Sequence, residues 1–133
     1  MFLDTSFCID LMREKNKNIT GSATKKMLSI IDFPLFISLY VLCELHAGAQ
    51  LSNNKMRELR KIELLTESLE IVYPDKTFPV LYGEAESYLR KQGTPIPVMD
   101  LLIGITAKQY SMPVITRDVD HFSLIPGVVV ERY

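Results

Sequence analysis

Short apolar runs, several of them rich in β-branched or aromatic residues, recur along the chain and predict five strands. They cover residues 2–3, 35–38, 70–73, 114–116 and 128–130. Each run is too short for a helix, and runs of this kind are typical of strands buried in a sheet. Between them, apolar residues recur at helical spacing and predict intervening helices. Strands that alternate with helices need crossover connections, so the sequence predicts an α/β fold with a mostly parallel sheet and helices on both faces.

Prolines, glycines and polar runs set the expected element boundaries. Five helices are predicted near residues 5–12, 22–32, 40–50, 55–67 and 78–92. Pro95 and Pro97 exclude a helix before residue 98, so a sixth should begin beside Asp100. Thr5 or Ser6 is expected to cap the first helix. The polar residues 13–18 and the stretch 117–122 are predicted loops. No repeat or linker divides the chain, which predicts one domain over residues 1–133.

Four acidic residues from distant segments are predicted to meet at one edge of the sheet. Asp4 closes the first strand and Asp118 follows the fourth, with Asp120 close behind. Glu44 lies early in the helix after the second strand, and Asp100 begins the central helix. Helix N-termini and strand C-termini share the edge of an open α/β sheet where ligands bind. We therefore expect these carboxylates to form a single site.

The surroundings of these acids indicate a metal ion. Glu44 has Val41, Gly48 and Leu51 at helical spacing, and Asp100 also lies on an apolar stripe. Carboxylates on apolar faces are costly to bury unless a positive charge lies between them. Oxygen ligands suit Mg²⁺ or Mn²⁺, whereas Zn²⁺ usually recruits His or Cys.

Each acid also has a simpler interpretation when taken alone. Asp4 and Asp100 are plausible helix caps, and Glu44 is an early helical acid that the helix dipole favours. Asp118 and Asp120 are common types of turn residue. Chance placement of all the acids at one edge is improbable, which favours the site. His46 and His121 are expected to be surface or packing residues, and Cys8 and Cys43 to be core residues.

Composition limits the partners. The 133 residues carry 15 Lys and Arg against 16 Asp and Glu, so no strong global field attracts a polyanion and any nucleic-acid site must be a local patch. Two cysteines fit free thiols in a reducing cytosol, and no apolar run approaches a signal core or membrane span, so we expect a cytoplasmic protein. The candidate cations for a local patch are Arg13, Lys15, Lys17, Lys55, Arg57, Arg60, Lys61 and Arg117.

Four short motifs carry a family resemblance. Residues 2–6 with 9–11, then 43–48, 100–103 and 116–122, resemble in order and spacing the motifs of PIN-domain nucleases of the VapC toxin type. Each motif alone is weak, but the set extends over essentially the whole chain. The resemblance implies a three-layer α/β/α sandwich with four or five strands.

The resemblance also implies an activity. One or two Mg²⁺ or Mn²⁺ ions would be held by Asp4, Glu44, Asp100 and Asp118. The protein would hydrolyse RNA at this site and leave a 5′-phosphate and a 3′-hydroxyl. The fourth position is often Asn in the family, so Asp120 remains a substitute for Asp118. The implied partners are a structured RNA substrate such as tRNA, a small antitoxin that covers the acidic cleft, and a second copy in a homodimer.

Other classes fit less well or remain open. A receiver-like phospho-acceptor domain would need adjacent acids after the first strand, where Thr5 and Ser6 stand. A phosphatase of the haloacid dehalogenase type would need an acid in place of Ser6. A PIN-like module that only binds RNA or protein, with Asp4 and its partners serving as structure, remains the alternative to a nuclease.

Overall fold

The computed structural model describes residues 1–133 and contains five strands and seven helices. The strands are β1 (Phe2–Leu3), β2 (Phe36–Ser38), β3 (Glu70–Val72), β4 (Val114–Thr116) and β5 (Val130–Arg132). The helices are α1 (Thr5–Lys17), α2 (Ser22–Ile30), α3 (Leu39–Leu51), α4 (Lys55–Thr66), α5 (Phe78–Gln92), α6 (Val98–Gln109) and α7 (Val119–Phe122). None of these helices combines the length and the hydropathy that a membrane span requires.

All five strands run parallel in the order β3-β2-β1-β4-β5. Phe2 of β1 pairs with Phe36 of β2 on one side and with Val114 of β4 on the other. The connections from β1 to β3 move across the sheet in one direction, and those from β3 to β5 move in the other. Because such crossovers are right-handed, α1–α4 cover one face and α5–α7 cover the other. The predicted α/β/α sandwich is confirmed.

The core lies between these layers and contains 25 buried hydrophobic residues in one cluster. The central strands are buried on both faces, with Phe2, Leu3 and Ile115 fully inaccessible. Helix α6 packs closely against the C-terminal segment at Gly104, where any side chain would overlap the Ile125 side chain. The absence of a side chain there lets α6 approach that segment.

Helix α1 is longer than predicted. Its N-cap is Asp4, whose carboxylate accepts the Ser6 N–H, so the expected cap at Thr5 or Ser6 was wrong. The helix continues through the predicted loop at residues 13–18 as far as Lys17 and ends at Asn18 in the left-handed conformation, with φ 53°. Polar residues with good helix propensity extend the helix beyond its apolar stripe.

Two further predictions fail near the C-terminus. The stretch predicted as a loop contains the short helix α7, and β5 begins two residues after the predicted start at residue 128. Gly127, with φ 79°, turns the chain, and pairing with β4 then extends through Glu131 and Arg132. An edge strand that is held by backbone pairing can include polar residues. The apolar run at residues 128–130 therefore did not mark the bounds of β5.

A buried carboxylate joins α1 to α2. Glu14 is 7% exposed and accepts the backbone N–H groups of Gly21, Ala23 and Thr24 at 3.1, 3.2 and 2.8 Å. Burial alone would raise the pKa of Glu14, but these hydrogen bonds outweigh it and lower the pKa. Glu14 therefore caps the N-terminus of α2, where Gly21 supplies no side-chain cap.

Replacing Glu14 by Ala should reduce the free energy of unfolding by about 2 kcal/mol at pH 7, since a charged cap is lost. The lowered pKa means that this stabilisation is present above the ordinary value of 4.5 and is lost as the pH falls through the folded-state pKa. Urea denaturation at pH 7 and at lower pH measures both effects. Glu84→Ala, at an exposed position in α5, is the control. Equal stability of Glu14→Ala and the wild type at pH 7 would contradict the capping role.

Candidate active site

The candidate site lies where the direction of the sheet connections reverses. The chain leaves β1 toward β2 and leaves β4 toward β5, so β1 and β4 are neighbours whose connections diverge. In open α/β sheets, the crevice outside the strand C-termini at this point is the usual ligand site. Asp4 follows β1 directly, and Asp118 stands two residues after β4.

Asp4 is held by donors from its own helix and from β4. It is 3% exposed, and its Oδ2 accepts the Ser6 hydroxyl at 2.7 Å and the Thr116 hydroxyl at 2.8 Å. Thr116 Oγ1 in turn accepts the Asp118 N–H at 2.9 Å, and Ser6 Oγ accepts the Arg117 N–H at 3.2 Å. These contacts fix the loop after β4 against the start of α1.

Glu44 lies in the second turn of α3, and its Oε2 accepts the Thr5 hydroxyl at 2.5 Å. Burial raises the pKa of Glu44. The Thr5 hydrogen bond opposes this shift, and the negative charges of Asp4 and Asp100 add to it. The expected apolar stripe around Glu44 is only partly present, because Leu51 is 88% exposed.

Asp100 lies in the first turn of α6 and makes no cap hydrogen bond. Its Oδ2 is 2.7 Å from His121 Nδ1. Burial raises the pKa of Asp100, the His121 hydrogen bond opposes the shift, and the charges of Asp4 and Asp118 raise the pKa further. The four acids thus lie near enough to one another for their charges to interact.

Three of the four carboxylates share a pattern of hydrogen bonds. In Asp4, Glu44 and Asp100 the protein donors all reach one oxygen, and the other oxygen accepts no protein hydrogen bond. Asp118 is exposed, and its side chain makes no cap hydrogen bond. The free carboxylate oxygens are hard ligands, and a cation would offset both the burial and the charge repulsion that raise the pKa of Glu44 and Asp100.

The acids do not form a ready-made coordination shell. No three His, Cys, Asp or Glu side chains converge closely enough to hold an ion between them. Carboxylates that repel one another are expected to turn toward protein donors, as Glu44 does toward Thr5 and Asp100 toward His121. Side-chain rotations would be needed to bring the free oxygens together.

Several site contacts were missed by sequence reasoning. His121, expected at the surface or in packing, is 46% exposed in its side chain but pairs with Asp100. Its position three residues after Asp118 was the available signal. Asp120 is exposed, and Asp118 rather than Asp120 raises the pKa of Asp100. Cys43, expected in the core, is exposed because it lies on the outer side of α3.

A groove of about 360 Å³ runs from Glu44 between α1, α3 and α4. Arg13 and Lys61, two of the predicted cations, line it. Other predicted cations are paired on the surface, such as Arg60 with Glu63. Cationic groups therefore lie near the acids on the α1 and α4 side.

Comparison with known proteins identifies the family. The model of the PIN domain family matches residues 1–127. The chain belongs to the PIN domain family. This PIN domain is 35% identical to Ribonuclease VapC1 of Haemophilus influenzae strain R2866, over 92% of this chain and 90% of that protein.

Two further relatives extend over nearly the whole PIN domain. The tRNA(fMet)-specific endonuclease VapC of Salmonella typhimurium is 28% identical, over 98% of this chain and 96% of that protein. The crystal structure of VapBC2 from Rickettsia felis bound to a promoter DNA fragment aligns with a TM-score of 0.89 and 26% identity, over 99% of this chain and 97% of that chain. The resemblance drawn from the four motifs is confirmed.

Thr116 should be needed to hold Asp4 in this PIN domain. Thr116→Val keeps the shape of a fully buried side chain but removes the donor to Asp4 and the acceptor for the Asp118 N–H. We expect a loss of about 1–3 kcal/mol in the free energy of unfolding, measured by urea denaturation. Thr94→Val, at an exposed loop position, should cost far less. A variant at 116 that is as stable as the wild type would refute the network.

Proposed function

We propose that this PIN domain is the toxin of a toxin-antitoxin pair and an endoribonuclease that hydrolyses RNA phosphodiester bonds. One or two Mg²⁺ or Mn²⁺ ions would be held by Asp4, Glu44, Asp100 and Asp118. The observation that carries the proposal is that these four acids lie at the edge where the sheet connections reverse, and that burial and the charges of neighbouring acids raise the pKa of Glu44 and Asp100. Membership of a family whose relatives here are named ribonucleases supports it.

The hydrogen bonds support distinct roles for the acids. Asp4 is the most firmly oriented, since Ser6 and Thr116 hold its Oδ2, and it would be a primary ligand through Oδ1. Asp100 would be the second primary ligand, with its Oδ2 bonded to His121. Glu44 would bind an ion or orient water. Asp118, which is exposed, would complete the site from the loop after β4.

These roles support hydrolysis by water. Divalent ions in such a site neutralise charge that builds up on the phosphate and lower the pKa of the attacking water. Glu44, with one oxygen bonded to Thr5, can hold that water by its other oxygen. Cleavage would leave a 5′-phosphate and a 3′-hydroxyl.

The partners follow from the relatives. The Salmonella typhimurium relative is named a tRNA(fMet)-specific endonuclease, which supports structured RNA, and tRNA in particular, as the substrate class here. The structural neighbour from Rickettsia felis is a VapBC2 complex, which supports a small antitoxin partner for this chain. We further propose that the antitoxin covers the acidic cleft, that the toxin forms a homodimer, and that it acts in the cytoplasm, where its RNA substrate is found.

Purified protein, freed of any antitoxin, should cleave RNA in Mn²⁺ or Mg²⁺ and not in EDTA. Asp4→Asn and Asp100→Asn should lower the rate by about 100-fold or more, since ligand loss should exceed the 10–100-fold cost of removing an outer-shell partner. Asp32→Asn, at an exposed carboxylate before β2 on the opposite edge of the sheet, is the control. Mapping of new 5′-phosphate ends reports the target.

Two results would contradict this function. Cleavage that survives in Asp4→Asn at the wild-type rate would place the reaction elsewhere. RNA binding without metal-dependent cleavage by the folded wild-type protein would favour the non-catalytic binding module.

A further inference from the structure

A further buried carboxylate, besides Asp4 and Glu14, has no part in the roles assigned to the four acids. Asp10, in α1, is 5% exposed. Three groups from different parts of the chain surround it: Arg13 one turn further along α1, Arg117 in the loop after β4, and Tyr133 after β5. Such convergence on one buried charge orders side chains that would otherwise be mobile.

Two guanidinium groups share this one carboxylate. Arg117 Nη1 donates to Asp10 Oδ2 at 2.9 Å, and the Tyr133 hydroxyl donates to the same oxygen at 2.7 Å. Arg13 Nη2 lies 2.5 Å from Oδ1 in an ion pair whose angle leaves Oδ1 without a directed hydrogen bond. The cluster of Asp10, Arg13 and Arg117 therefore carries a net charge of about +1, since one carboxylate faces two guanidinium groups.

Tyr133 also fixes the carboxylate, through the oxygen that accepts from Arg117. Its ring meets Phe7 edge to face, with centroids 4.8 Å apart. Burial raises the pKa of Tyr133, and its hydrogen bond to Asp10 raises it further, so the hydroxyl remains a donor. Asp10 thus has a fixed orientation, and both arginines can use the donors that do not face it.

Both arginines lie next to the candidate site and, since they share Asp10, next to each other. The backbone N–H of Arg117 donates to Ser6 Oγ, which donates to Asp4, and Asp118 is the next residue. Arg13 lines the groove that contains Glu44. Their side chains are 57% and 56% exposed, so their outer donors are open to a ligand.

We propose that Arg117 and Arg13, aligned by Asp10, bind backbone phosphates of the nucleic acid next to the scissile bond. The inference rests on the proposed function, because it names the groups that hold the substrate of that same site. Four carboxylates repel a polyanion, and a chain with net charge −1 supplies no global attraction to offset them. Arginine suits the task because its planar fork of donors matches phosphate oxygens. Asp10 and Tyr133 are positioning residues that act through the arginines.

The test is binding of a fluorescent single-stranded RNA oligonucleotide to the folded protein in EDTA, where cleavage does not interfere, over a range of KCl concentrations. Each lost phosphate contact lowers the slope of log affinity against log salt by about 0.7. Arg117→Gln and Arg13→Gln should each lower the slope by about that amount. Lys108→Gln, which removes a positive charge at the end of α6 distant from Asp100, should leave it unchanged.

A positioning role for Asp10 and simple charge attraction predict opposite effects of Asp10→Asn on RNA binding. Asp10→Asn makes the cluster more positive, so simple charge attraction predicts tighter binding. A positioning role predicts binding weaker by about 2–10-fold, the cost of ordering a long side chain on binding. Tyr133→Phe, a milder change, should also weaken binding, and Arg117→Lys should restore the salt slope that Arg117→Gln loses. Thermal denaturation of each variant confirms that it is folded.

Wild-type slopes in both arginine variants, or the absence of salt-dependent binding by the wild type, would overturn the proposal. Tighter binding by Asp10→Asn would overturn the positioning role. These outcomes are separable from failure of the nuclease itself. If metal-dependent cleavage requires Asp4 while the arginine variants bind normally, only the proposed phosphate contacts are wrong. If the arginine variants lose salt slope while cleavage does not require Asp4, only the nuclease proposal is wrong.

Discussion

Carboxylates that share one edge of a sheet repel one another, and the structure around them is arranged to hold them despite that repulsion. Parallel strands β1 and β4 bring Asp4 and Asp118 together, and the helices α3 and α6 add Glu44 and Asp100. Burial raises the pKa of Glu44 and Asp100, and the charges of the neighbouring acids raise it further. Protein donors satisfy one oxygen of each of three acids, and the other oxygen stays free for a cation. The segments that follow β1 and end β4 supply Asp4 and Asp118 together with the hydroxyls of Thr5, Ser6 and Thr116, which restrain Asp4 and Glu44.

Much of the fold could be predicted from the sequence because the elements that define it are buried. The first four strands and the helices α2–α6 carry apolar positions with a clear period, and α5 ends at Gln92, as predicted. The errors lie where distant partners decide the structure. The second half of α1 is polar, yet Glu14 within it caps α2, and β5 takes its register from β4.

The acids of the candidate site could be placed by topology, since strand ends and helix starts fix the edge on which a residue lies. The hydrogen-bond and ion-pair partners of these side chains could not be predicted, because the sequence does not give the direction or rotamer of a side chain. His121 and Asp10 are the clearest examples. His121 was expected at the surface or in packing and pairs with Asp100. Asp10 belongs to the first motif but was given no role of its own, and it binds Arg117 and Tyr133.

The most direct measurement is anomalous diffraction from crystals of the isolated toxin grown with Mn²⁺. A four-carboxylate site predicts an anomalous peak coordinated by Asp4 and Asp100, with Glu44 or Asp118 completing the shell, and loss of that peak in Asp100→Asn. An ordered site with no bound Mn²⁺ at saturating concentration, or a peak only at other residues, would contradict it. In that case the acids would serve the fold alone.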